Sequence, residues 1–131
     1  MVGMRHILLT LALGTLATAI PVYAHHSFAA FYFEDQSVTI QGEVSEFLYK
    51  NPHAILMVKA PDAAGVVRNY AAEFAGPGRL ARQGVTKDTL KPGDQVIVTG
   101  SPGRIESDYK IHLKRVQRMS DGWSWGGDRR R

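Results

Sequence analysis

Five histidines and no cysteine bound the side-chain chemistry open to this 131-residue chain. His25 and His26 stand side by side directly after an apolar leader. If a signal peptidase cuts after Ala24, His25 carries a free α-amino group. The amine nitrogen and the imidazole Nδ1 of that one residue can then chelate a single metal ion. The amine has a reference pKa of about 8 and imidazole of about 6.5, so both release protons readily at neutral pH. His26 adds a second imidazole. Nitrogen-rich donor sets favour Cu(II) over the other first-row divalent ions. The plainer alternative is that both histidines only begin a flexible segment.

A second constellation joins His53 to Glu73. A hairpin turning symmetrically about Ala63 pairs residue 60 with 66, and therefore 53 with 73. His53 then sits beside Glu73, on the face opposite Leu56 and Tyr70. A carboxylate beside an imidazole can share a metal ion with it, or orient the ring of a metal-bound histidine. The alternative is an ordinary cross-strand pair on a solvated face. His112, flanked by Lys110 and Lys114, reads as an exposed surface residue. The candidate metal ligands are thus His25, His26, His53 and Glu73, with Cu(II) the cofactor they suit.

Other chemistries find little support. Without cysteine there is no disulfide framework, thiolate metal site or cysteine nucleophile. Ser27 beside His26 is adjacency in sequence, not triad geometry, and no Gly-x-Ser-x-Gly elbow occurs. Glu34 and Asp35 read as solvated turn residues. No catalytic or cofactor-binding set emerges, and the expectation is a protein that is not an enzyme. Lys and Arg total 16 against 12 Asp and Glu. Setting aside Arg5 and the terminal Arg129, Arg130 and Arg131 makes the two counts equal, so the basic excess lies at the ends. A nucleic-acid groove needs cations concentrated on the folded surface. Lys110, Lys114, Arg115 and Arg118 form the one basic run, with Tyr109 beside it as a base-stacking candidate.

These residues need elements to position them. Residues 1–24 read as a signal peptide: Arg5 supplies positive charge, Ile7 to Ile20 is apolar, and Val22-Tyr23-Ala24 offers small residues for cleavage. The apolar run is short of the ~20 residues that span a bilayer. Residues 25–36 form an aromatic arm with a helical turn. From Ser37, Val38, Ile40, Gly42, Val44, Glu46 and Leu48 alternate with polar residues, which predicts a long half-buried strand bent or bulged at Gly42. Further strands are expected over 53–60, 66–74, 95–100 and 109–119, with short helical turns over 79–83 and 86–90. Residues 120–131 read as a disordered tail rich in Trp and Arg, its two tryptophans able to touch a membrane or an anionic partner. Five strands with a helical connection after the third is the order of an OB-type barrel, spanning 37–119. The rival is an open antiparallel sandwich.

Several motifs occur together and in order: His25-His26-Ser27-Phe28-Ala29-Ala30, Asn51-Pro52-His53, Glu73, and Leu90-Lys91-Pro92-Gly93-Asp94 before a Val-x-Val-x-Gly strand. Over residues 25–118 the chain resembles a family of small exported bacterial proteins of unknown function that open with a His-His-Ser-Phe-Ala-Ala motif. Leu48-Tyr49-Lys50 stands where a Trp is usual in that family, and Ile55 where an aromatic often follows. The resemblance implies a periplasmic, OB-like β-barrel and no assigned activity. The leading expectation is an exported small barrel that binds a ligand, metal ion or envelope protein through the His25/His26 arm and the His53/Glu73 region. The alternative is a structural or protein-interaction module of the envelope. A third is an oligonucleotide or oligosaccharide site on the barrel face.

Overall fold

The computed structural model describes residues 28–127. The leader, His25, His26 and the terminal arginines lie outside them. The chain divides into two units, residues 1–31 and 32–131. In the first, residues 28–31 are helical. The second contains strands β1 (Val38–Leu48), β2 (Ile55–Pro61) and β3 (Val67–Glu73), helix α1 (Pro77–Arg82), β4 (Gln95–Pro102), a 3-10 turn (Glu106–Asp108), β5 (Lys110–Arg118) and β6 (Ser124–Gly126).

The sheet order is β3-β2-β1-β4-β5-β6, and a further parallel pairing of β3 with β5 closes the first five strands into a barrel. Closure removes the open edges that a sandwich would leave. The expected OB-like barrel of five strands is therefore the fold, with one more strand outside it. The long first strand makes this work. Its first half pairs with β4, from Val38↔Gly100 to Glu43↔Gln95, and its second half with β2, from Glu43↔Lys59 to Leu48↔Ile55. Gly42 lies at the changeover, where a Cβ would come within 2.0 Å of the Lys59 carbonyl oxygen. Only glycine lets the two backbones approach so closely.

The core is filled by the alternate residues that the pattern singles out: Leu56, Val58 and Ala60 from β2, Ala72 from β3, Val96 and Val98 from β4, and Ile111, Leu113 and Val116 from β5. Two irregularities explain where simple alternation breaks. A bulge between Val44 and Glu46 shifts the phase of β1 by one residue. Phe47 consequently packs on the core, and Glu46, expected on the apolar face, is exposed. On β5, a register shift opposite Thr99/Gly100 leaves both Lys114 and Arg115 outside and restores burial at Val116. The connection from β3 to β4 contributes Leu80, Val85 and Leu90 to the same core. Gly76 caps α1 and Pro77 occupies its first turn, where a missing N–H costs nothing. Residues 86–90, expected as a helical turn, instead form a non-helical turn in which the Thr89 hydroxyl accepts from the Thr86 N–H.

The stretch from Ser120 differs from the expected disordered tail throughout its described part. An Arg118–Asp121 clasp turns the chain back, and β6 pairs with β5 through Val116↔Trp125. The Trp125 ring meets Phe74 at 4.9 Å, and its Nε1 donates to Gln83 Oε1 at 2.7 Å. Apolar contact and a satisfied indole N–H hold this segment in place, a fit that residue types alone could not disclose. No helix among the described residues is long and apolar enough to cross a membrane.

Candidate functional site

Glu73 is the last residue of β3 and faces outward, since Ala72 before it points into the core. Beyond the strand end, Phe74 N–H donates to the Ala54 carbonyl at 2.8 Å and Ala54 N–H to the Ala75 carbonyl at 3.2 Å. These bonds carry the ladder past the Asn51-Pro52 turn and bring His53 alongside. Gly76 makes room for that turn, because a Cβ there would stand 2.7 Å from the Pro52 carbonyl oxygen.

His53 Nδ1 lies 2.6 Å from Glu73 Oε1. The expected neighbourhood of His53 and Glu73 is thus present, but by a different register. Pro61 pairs with Val67 and Ile55 with Glu73, so the hairpin is offset by two residues from symmetry about Ala63. An even offset keeps every side chain on its face. His53 reaches Glu73 diagonally, from two residues before the directly opposed position.

The other Glu73 oxygen, Oε2, accepts a hydrogen bond from the Tyr32 hydroxyl at 2.5 Å. Tyr32 is 3% exposed and held by a bridge to Gly103, with the next N–H, of Phe33, donating to the Pro102 carbonyl. Burial pushes the Tyr32 phenol far above its ordinary pKa, and the hydrogen bond to Glu73 and the charges of Glu73 and Glu34 push it further. The phenol therefore stays neutral and remains a donor. With Glu73 accepting from both sides, His53 carries its proton on Nδ1.

Parallel pairing of β3 with β5 sets His112 opposite Glu73. The His112 ring packs 5.5 Å from the Tyr32 ring, and its Nδ1 lies 2.7 Å from Glu34 Oε1. Lys114 Nζ donates to Glu34 Oε2 at 2.6 Å. Burial alone would raise the Glu34 carboxyl, but the bonds from Lys114 and His112 outweigh it and hold the pKa below the ordinary value. Two imidazole–carboxylate pairs thus flank one neutral phenol. Such a surface can orient imidazole donors toward a ligand and relay a proton between carboxylate and ring.

His53 and Glu73 are brought together as the sequence suggested. His25 and His26 lie outside the described residues. Among the described residues, no three His, Asp or Glu side chains converge in a way that could hold a metal ion. Tyr32, Glu34, His112 and Lys114 were missed. His112 was expected to be exposed, yet its side chain is only 17% exposed. The register of the barrel closure places it beside Glu73, and no local pattern reports that register. The basic run is largely neutralised: Lys114 on Glu34, Lys110 3.6 Å from Asp108, and Arg118 on Asp121 and the Thr89 carbonyl.

Among known proteins, the model of a family of unknown function, DUF6152, matches residues 13–110. That span includes Asn51-Pro52-His53, Glu73 and most of the barrel. No curated protein and no solved structure matches the sequence.

Proposed function

The chain belongs to that family of unknown function, and from this premise we propose that it is an exported, non-enzymatic binding module whose ligand is copper. Cu(II) is taken by the α-amine and imidazole of His25 after cleavage at Ala24, with His26 beside them. On the barrel itself, His53 is a separate imidazole donor, held by Glu73. The observation that carries this reading is the 2.6 Å contact between Glu73 and His53 Nδ1. A carboxylate on one ring nitrogen fixes the tautomer and raises the basicity of the other, as it does behind metal-bound histidines.

Calorimetric titration of protein beginning at His25 tests it. Cu(II) binds well above Zn(II). Either His25→Ala or one extra residue before His25 weakens binding sharply, because each removes half of the chelate. Glu73→Gln costs about 10- to 100-fold through its effect on His53. Unchanged copper affinity with the extended N-terminus overturns the chelate.

A second reading has its own support. Tyr32 is buried and bonded to Glu73, the arrangement of a structural tie in an envelope interaction module. On that reading the extra residue is silent, and Glu73→Gln lowers the unfolding midpoint equally with and without copper.

A further inference from the structure

A cleft of about 790 Å³ is bounded by the start of β1, the turn between β2 and β3, and the connection between β4 and β5. It shares no side chain with the Tyr32–Glu73–His53 network, and its size falls within the ~300–1,000 Å³ of small-ligand sites. Tyr70 and Tyr109 form its aromatic wall, their rings 5.4 Å apart at 79°. Neither phenol hydroxyl bonds to another described residue, and the same holds for the side chains of Gln36 and Glu106, which also line the cleft. Ile105 adds an apolar rim, 62% exposed.

We infer that this cleft binds a neutral oligosaccharide, a reading independent of the copper site. A sugar ring has an apolar C–H face that packs on an aromatic ring, and a rim of hydroxyls that both donate and accept. Two phenols, an amide and a carboxylate on an aromatic wall complement both features. The charges decide against a polyanion. In and beside the lining, the cations Arg68, Arg104 and Lys110 are equalled in number by the carboxylates Asp62, Glu106 and Asp108. Arg68, stacked over Tyr109 at 5.3 Å, is bonded to Asp62 at 2.8 Å. Lys110 lies 3.6 Å from Asp108. A phosphodiester strand needs cations that the protein has not already neutralised.

Calorimetry on the full chain, in chelator so that metal plays no part, tests this with cellotetraose, maltotetraose, the N-acetylglucosamine tetramer and a deoxythymidine octanucleotide. At least one tetrasaccharide binds saturably and the octanucleotide does not. Tyr70→Phe, which keeps the ring and removes the hydroxyl, weakens that binding by about 5-fold. Tyr109→Ala abolishes it. Tyr70→Phe unfolds at the same temperature as the parent, which separates lost recognition from lost fold. The inference is overturned if none of the three glycans binds, if the octanucleotide binds with salt-sensitive affinity, or if both tyrosine variants bind as the parent does.

Discussion

Glu73 accepts at once from a buried phenol and from an imidazole, so its charge is shared between two hydrogen bonds that a neutral amide can replace only by reversing one of them and losing the charge. Gln at this position keeps one acceptor oxygen and turns the other site into a donor. Glu73→Gln is expected to destabilise the barrel by about 1.5–3 kcal/mol, the usual scale for bonds to a charged group. An unchanged urea midpoint would show that the network contributes nothing to folding. Tyr32 carries the alkaline counterpart. Its folded pKa is raised above the ordinary 10.0, first by burial and then by Glu73. The stabilisation it represents is complete below pH 10 and is lost as pH rises, because the unfolded phenol ionises while the folded one does not. Denaturant titrations from pH 8 upward should therefore show a falling stability that flattens in Tyr32→Phe.

At the scale of elements, β6 is the finding that alters the picture of the chain end. Trp125 pairs with Val116, packs on Phe74 and bonds Gln83, linking the last strand to the α1 region. Trp125→Ala is expected to cost about 2–3 kcal/mol, below the ~3–5 typical of fully buried Trp or Phe because the residue is only partly buried. A thermal shift no larger than that of an exposed substitution would return this stretch to the role of a tail. Gly42 is the other element-scale constraint. A methyl group there meets the Lys59 carbonyl at 2.0 Å and the Ala60 Cβ at 2.8 Å. Gly42→Ala should cost at least about 1–3 kcal/mol by forcing β1 away from β2. Wild-type stability for that variant would mean that the two strands can separate freely at the bend.

Across the whole molecule, acid is the condition that removes several ties together. Glu34 is lowered because the bonds from Lys114 and His112 outweigh its burial, Asp62 is lowered chiefly by Arg68, and Asp121 is held at about 2 chiefly by Arg118. Lowered folded values mean stability present at neutral pH and lost as pH falls through the folded pKa values. The melting temperature should hold down to pH ~5 and drop between about 4.5 and 2, with Glu34→Gln showing a shallower fall. A melting temperature independent of pH over that window would contradict these pairings. The strand order, the helix after the third strand, the inward faces of β2 to β5 and the nearness of His53 to Glu73 were all legible in the sequence. Each follows from local periodicity or from turn residues, and a face assignment survives a two-residue offset in register. What local pattern could not carry was anything set by contact between distant segments. The bulge at Val44 changed which side chains of β1 face inward. Parallel closure of β3 on β5 brought His112 to Glu73, and Tyr32 and Glu34 joined them from a segment that has no periodicity to read. Trp125 looked like a tail residue because an isolated tryptophan signals nothing until a partner surface exists for it. Side-chain type and spacing determined a barrel with one imidazole–carboxylate pair. Only the closed tertiary structure decided that the pair is part of a larger network, because long-range register is a property of packing and not of any one stretch of chain.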